Sequence, residues 1–455
     1  MCIINMMMST DTDTYIGDAV TRYQAFDDMP MFDCDEPNID LLQGINAYGF
    51  SNPSPIQEIA IFPLFDRKNL IAQSQSGTGK TGAFVIGSLS IFDPELDAVQ
   101  IVVVAPTHEL AIQIHHVYQS IGQYVLKDKK RVELCVGKQI SVDENIRNIG
   151  RGSQILVGTP GRIAHLCKSN VKGQPLVNPK HVKILILDEA DKLISTDSSE
   201  TIMEITERLD NRELRDPDSF LQFGIFSATY NKQETIDNAA RLCDPKWDPA
   251  NPEETRTPQT PLRILLKPER LTLEGIEQYF FDLECDSGRD VFQNKVNFIE
   301  ALNQEHMIPV CIIYVNNRSA AEKLKAQLNS MNMVCECIYG ALPSKRRMEI
   351  TDAFRQGEIR ILITTDLLAR GFDVHQVSLV INFDLPFVYD RHRGENSTQR
   401  LADYLHRIGR SGRYGRKGVA INILGTSGDR NRREIIEEFY QIKMAELPED
   451  VSTIY

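Results

Sequence analysis

The sequence predicts an α/β chain of two domains, each a parallel sheet flanked by helices. Three observations carry that expectation. Bare apolar runs recur along the chain, as expected of strands buried on both faces. The spacers between them are long enough for crossover helices. The 455 residues also exceed what one ordinary core organises.

Residues 1–25 are polar, rich in Ser, Thr and Asp, and are expected to form a mobile N-terminal tail. A first domain is expected over 26–267. Its strands include Leu70-Ile71-Ala72, Ile101 to Ala105, Ile155-Leu156-Val157, Ile184 to Leu187 and Gly224-Ile225-Phe226. Near its end the stretch 246–261, rich in proline and polar residues, reads as a surface insertion. A short linker, 268–275, leads to a second domain over 276–455. There the runs are Cys311 to Val315, Val334 to Ile338, Ile361 to Thr364, Val377 to Ile381 and Val419 to Ile423. A second polar excursion, 387–401, interrupts this half. No short-period repeat is visible.

Composition narrows the class. Hydrophobic residues make up 42% and charged residues 25%, the balance of a soluble globular chain. No apolar run approaches the ~20 residues of a membrane-spanning helix, and the N-terminus lacks the basic start of a secretory signal. An intracellular protein that binds no membrane is expected. The nine cysteines are scattered and read as reduced thiols. Cys335 and Cys337 match no zinc spacing and are expected on opposite strand faces. A net charge of −13 argues against a general nucleic-acid coat, but not against a local basic groove.

The sharpest local signal is Ser74-Gln-Ser-Gly-Thr-Gly-Lys80-Thr81, between a strand and a helical stretch. Small residues let backbone N–H groups surround an anion, and the helix that follows turns its positive end towards it. Ser76, Gly77, Thr78 and Gly79 would form the cradle. Lys80 would reach the β- and γ-phosphates, and the Thr81 hydroxyl would bind Mg²⁺. Ser74 stands where the strict pattern has glycine. Downstream, KILIL runs into Asp188-Glu189-Ala190-Asp191. On a surface such a run is usually a solvated acidic turn. After a buried strand and a phosphate loop, Asp188 reads as a magnesium ligand and Glu189 as the group that orients water.

Together these stretches resemble a DEAD-box RNA helicase, over nearly the whole chain from Phe26 onward. FDDMP (26–30), AYGF (47–50), AQSQSGTGKT (72–81), LTLEGIEQYF (271–280) and HRIGRSGRYGRKGVAIN (406–422) lean to its translation-initiation branch. PTHELA (106–111) and the insertion before His406 lean to its messenger-RNA-export branch. The resemblance implies two tandem RecA-like domains, ATP and Mg²⁺ as ligands, and ATP hydrolysis coupled to local RNA unwinding in the cytoplasm. It further implies a monomer with initiation scaffold or RNA-binding factors as partners.

Site roles follow from the same resemblance. Phe50 stacks on adenine, Gln57 reads its edge and Asn52 lies near the base. Ser227 and Thr229, in Ser-Ala-Thr, couple hydrolysis to strand separation through Asp191. Arg407 and Arg410 are arginine fingers, Arg413 braces the interface, and Asp373 contacts the ribose. RNA phosphates and sugars fall to Pro106, Thr107, His108, Thr159, Gly161 and Arg162 in the first domain. Asn316, Arg318, Arg347 and Thr365 serve in the second. Such contacts position a strand without reading its bases. The chain departs from the family at His108 (usually Arg), at Gly137-Lys138 (usually Gly-Gly) and at Ser344 (usually Gln). A neutral histidine binds phosphate less well than arginine, so weaker RNA binding, more sensitive to salt and pH, is expected.

Overall fold

The computed structural model describes residues 15–17, 20–75, 77–126, 128, 131–137, 140–195, 198–211, 213–215, 219–230, 233–251, 254–266, 275–283, 291–306, 308–365, 377–386, 389–390, 395–396, 398–411, 418–451 and 454. Two compact units divide at Lys267–Pro268. Ser76, Lys138, Asp373, Arg413 and residues 268–274 of the linker lie outside the described residues.

The first unit is built on an eight-stranded sheet. In spatial order its strands are Tyr15–Gly17, Leu262–Leu266, Leu70–Gln73, Gln222–Ser227, Ile184–Asp188, Ile101–Val104, Ile155–Gly158 and Val132–Cys135. All pairings are parallel except that of Tyr15–Gly17 with Leu262–Leu266. The runs LIAQ, IVVV, ILVG, ILILD and QFGIFS are buried at every position, because helices cover both faces. One core lies on each side: Phe84, Ile86, Tyr118 and Phe226 on one, Leu156, Leu185, Ile205 and Trp247 on the other.

Of the expected mobile tail, residues 15–17 and 20–25 are described, and they are tied to the first unit. Tyr15–Gly17 covers the open edge of Leu262–Leu266, and Arg22 pairs with Glu58 at 3.2 Å. Tyr23 packs on Phe62, with ring centroids 5.4 Å apart. A three-residue strand is too short to show periodicity, and its stabilisation comes from an edge some 250 residues away in sequence. The stretch 246–261 is tied down more firmly than a surface insertion. Trp247 is buried under Arg263, and the Thr257 and Thr260 hydroxyls donate to Asp244 at 2.6 and 2.9 Å.

The second unit carries a seven-stranded, wholly parallel sheet. Its order is Cys335–Ile338, Ile361–Thr364, Cys311–Tyr314, Leu379–Asn382, Gly418–Leu424, Ile276–Asp282 and Ala445–Glu446. Cys335 and Cys337 both enter one core cluster, correcting the expectation of opposite faces. Residues two apart on a strand share a face. In the excursion 387–401, Tyr389–Asp390 pairs with Glu395–Asn396 before the helix Thr398–Ile408. Among the described residues no helix is long and apolar enough to cross a membrane.

One half-buried histidine makes the first unit acid-sensitive. His115 lies on the helix His108–Ile121 with Nε2 3.1 Å from Val132 O, where the neutral ring donates. Burial pushes its pKa down from 6.5 to about 4, with His116 adding to the fall and the Val132 bond opposing it. The unfolded chain therefore takes up the proton first. This contribution to stability is present above pH 6.5 and is lost as pH falls towards 4. In urea melts, His115→Gln is expected to remove that part of the pH dependence. Identical pH profiles for the two proteins would refute the assignment.

Candidate functional site

The three motif-bearing strands are immediate neighbours. Leu70–Gln73, Gln222–Ser227 and Ile184–Asp188 lie side by side, with Gln73 opposite Ser227 and Phe226 opposite Asp188. Their C-terminal ends thus bring the phosphate loop, Ser-Ala-Thr and the acidic motif to one sheet edge, where open α/β sheets bind ligands.

The loop has the backbone its sequence requires. Gly77 and Gly79 sit at φ 82° and 99°, a region that suits glycine. Gly79 caps the helix Lys80–Leu89. Ser74, where the usual pattern has glycine, is bonded within the loop and to the neighbouring strand. Its hydroxyl meets Thr78 Oγ1 at 2.5 Å and its N–H donates to Ser227 O at 3.1 Å. Lys80 Nζ donates to Ser74 O at 2.5 Å, across the loop it would serve. Thr81 follows at the helix start.

The adenine motif packs on this loop. Gln57 is buried; its Oε1 accepts from Ser54 N at 2.9 Å and its Nε2 donates to Gly79 O at 3.1 Å. A Cβ at Gly82 would come within 2.6 Å of Gln57 Nε2 and 2.8 Å of the Phe50 ring, so a larger residue there would displace both. Phe50 itself is held between Phe26 and Tyr48, and Asn52 is exposed. Gln57 therefore braces the phosphate loop directly, a contact its sequence context did not reveal.

Asp188 ends a strand that is buried throughout, and Glu189 follows it. Burial raises the Asp188 pKa to about 6, against the opposing pull of Lys80. Its Oδ1 accepts from Glu189 N at 2.9 Å. Glu189 holds φ 51°, a left-handed conformation uncommon for a side-chain-bearing residue and a mark of stored strain. Asp191 is gripped by both hydroxyls of the neighbouring motif. Ser227 Oγ donates to its Oδ1 at 2.8 Å, and Thr229 Oγ1 to its Oδ2 at 3.0 Å.

Beyond Asp188 the sheet continues into two further helix starts. Pro106-Thr107-His108 follows Ile101–Val104, and Thr159-Pro160-Gly161-Arg162 follows the adjacent Ile155–Gly158. Thr107 caps its helix by accepting from Leu110 N at 3.3 Å, and His108 is the first helical residue. Thr159 donates its N–H to Cys135 O at 3.2 Å, and a side chain at Gly161 would meet nothing within 4 Å. Two neighbouring helix N-termini with open backbone suit phosphate groups. Arg162 reaches back to Ile140 O and Asn145 Oδ1.

In the second unit Asn316 and Thr365 follow the paired strands Cys311–Tyr314 and Ile361–Thr364, whereas Arg318, Arg347 and Arg407 lie on helices. Arg407 differs from a freely projecting finger. It is fully buried, its Nη1 donates to Asp384 O at 2.6 Å and its Nη2 to Asn316 Oδ1 at 3.0 Å. Its guanidinium also lies over the Tyr314 ring at 5.2 Å. Asn316 in turn donates from N to Asp384 Oδ2 and from Nδ2 to Leu385 O. Buried Lys295 reaches Asp384 at 3.4 Å and Asp429 at 3.6 Å. Tyr314, Asp384 and Lys295 lie outside every motif that the sequence displays. Arg410 donates from Nε to His406 O at 3.1 Å. Arg318 is exposed, paired with Glu322 and stacked on Tyr339, whereas Arg347 is largely buried. Thr365 follows the strand Ile361–Thr364 and is half-buried. Ser344 begins the helix Ser344–Arg355, and its side chain lies outside the described residues.

The comparisons agree with this layout. A family described as DEAD/DEAH box helicase matches residues 54–237, and one described as helicase conserved C-terminal domain matches residues 294–415. The chain belongs to the DEAD-box family of ATP-dependent RNA helicases. The ATP-dependent RNA helicase eIF4A of Candida glabrata is 36% identical over 454 residues, covering 98% of this chain and 100% of that protein. The probable eukaryotic initiation factor 4A of Trypanosoma cruzi is 36% identical over 442 residues, covering 97% and 96%. Among solved structures, S. cerevisiae Dbp5 bound to RNA and ADP BeF3 is similar with a TM-score of 0.75 and 29% identity, covering 95% of this chain and 97% of that one.

Proposed function

We propose that the chain hydrolyses ATP to ADP and phosphate, uses the cycle to separate short RNA duplexes, and serves in translation initiation in the cytoplasm. The observation that carries the coupling is the clasp on Asp191. The hydroxyls of Ser227 and Thr229 bind the same acidic motif that supplies Asp188 and Glu189. A change at the nucleotide is thereby felt at the strand Gln222–Ser227.

Lys80 leaves Ser74 O and binds the β- and γ-phosphates, while Phe50, Asn52 and Gln57 hold the base end and Asp373 the ribose. Glu189 orients the attacking water. Arg407 and Arg410 meet the negative charge that develops on the transferred group, and Arg413 braces the arrangement. Thr81 and Asp188 fit a magnesium ion, which keeps most of its ligands as water and phosphate oxygens. When bound, it neutralises phosphate charge. RNA runs along Pro106, Thr107, His108, Thr159, Gly161 and Arg162, and along Asn316, Arg318, Arg347 and Thr365. Its partners are initiation scaffold and RNA-binding factors, and the chain acts as a monomer.

The relatives named as initiation factors support that process over the full length of the chain. A second reading, messenger-RNA export, is favoured by the likeness to Dbp5. Steady-state ATP hydrolysis with and without single-stranded RNA tests the enzyme, and RNA is expected to raise turnover at least ten-fold. Turnover indifferent to RNA would refute coupling. Adding an initiation scaffold fragment, or alternatively Gle1 with IP6, to which S. cerevisiae Dbp5 is bound in a similar solved structure, separates the processes; stimulation by the second alone would reverse the assignment.

A further inference from the structure

The guanidinium of Arg162 is held by one arm. Its Nη1 donates to Ile140 O at 2.8 Å and to Asn145 Oδ1 at 2.5 Å. Among the described residues its Nε and Nη2 make no hydrogen bond. Asn145 is fully buried on the helix Val142–Ile149, and its amide nitrogen donates to Glu133 Oε1 at 2.6 Å and Leu134 O at 3.0 Å. Asn148, three residues on, donates to both Glu133 oxygens at 3.1 Å.

Glu133 is an odd residue for its place. It lies 7% exposed on Val132–Cys135, the edge strand of the sheet, where an apolar side chain would pack at less cost. Two amides are required to satisfy its carboxylate. Burial nevertheless raises its pKa, held back by Asn145 and Asn148. The arrangement has a consequence for Asn145. A carboxylate offers acceptors, so it fixes the nitrogen of the Asn145 amide towards itself. The amide oxygen must then face Arg162. The reverse orientation would set an NH₂ group against a guanidinium and an oxygen against a carboxylate.

We propose that Glu133 is a positioning residue for RNA binding. Acting through Asn145, it anchors the Nη1 arm of Arg162 and leaves the Nε–Nη2 edge directed at a strand phosphate. The proposal rests on the reading that Arg162 contacts RNA. An arginine held this way loses less freedom on binding than a solvated one, because its fork is already oriented. It also offers this chain a strong phosphate contact on the same surface where His108 supplies a weaker one.

The full chain with ADP and beryllium fluoride is titrated with labelled single-stranded RNA across a salt series. Arg162→Ala is expected to weaken binding and to reduce the slope of log affinity against log salt by about 0.7, one phosphate contact on a single strand. Glu133→Gln is expected to weaken RNA binding about five-fold, the size of one misplaced hydrogen bond. It should raise the RNA concentration that half-stimulates hydrolysis, while leaving ADP affinity and turnover at saturating RNA unchanged. The exchange Glu133→Gln with Asn148→Asp restores a donor opposite an acceptor, and is expected to recover RNA binding to within about two-fold. If Arg162→Ala binds RNA normally, the reading of Arg162 fails and the inference with it. If Arg162→Ala is weakened but Glu133→Gln is not, the inference alone is overturned. If Glu133→Gln lowers ADP affinity equally, or the exchange recovers thermal stability without RNA binding, Glu133 is only a structural residue and the proposal is wrong.

Discussion

Glu189→Gln is expected to lower RNA-stimulated ATP turnover by about 10²–10⁴-fold, the range that positioned acid–base groups supply. The substitution preserves shape and removes the charge that polarises water. The backbone at Glu189, φ 51°, is set by the strand end and the turn after it, so Gln should adopt it equally. Asp188, Lys80 and the glycine loop are untouched, and ATP-dependent RNA binding should therefore survive. Single-turnover phosphate release with radiolabelled ATP separates these effects. A fall smaller than ten-fold would remove Glu189 from the chemistry, whereas loss of ATP binding would mean that its strained backbone supports the loop.

Much of this site was legible because each motif is local. The phosphate loop, Asp188-Glu189 and Ser227-Ala-Thr229 each end a bare apolar run, and such runs become buried strands whose ends converge when the strands pair in parallel. The strand Val132–Cys135 escaped because Glu133 breaks its apolar run. That charge is tolerated only because Asn145 and Asn148, on a separate helix, meet it. Ile276–Asp282 escaped because it is half-buried along most of its length. Gln57 was read as an adenine contact, yet its first partners are Ser54 and Gly79, a packing fact that spacing does not carry. Likewise the bond between Arg407 and Asn316 spans 91 residues and has no sequence signature.

That bond separates the two arginines, which the sequence treats as equivalent. Arg407→Ala and Arg410→Ala are both expected to depress hydrolysis, by about 10³–10⁵-fold where the finger is lost outright. Their effects on stability should diverge. Arg407 is buried over Tyr314 and bonded to Asn316 and to Asp384, whose carboxylate also meets Lys295. Removing it leaves buried acceptors unpaired and opens a cavity, at a cost on the order of 3 kcal/mol. Arg407→Ala should therefore lower the unfolding temperature of the second unit and weaken RNA binding through Asn316. Arg410→Ala should lose hydrolysis with a smaller thermal shift, because its Nε bond runs to a carbonyl of the helix it follows, one turn back, and not to the neighbouring strand ends that Arg407 ties together. Thermal melts of the full chain beside RNA titrations decide the matter. Equal destabilisation by the two variants would show that Arg410 also builds the unit. A stable, RNA-binding Arg407→Ala protein that hydrolyses no ATP would show that Arg407 leaves its buried bonds during the cycle and acts on the phosphate itself.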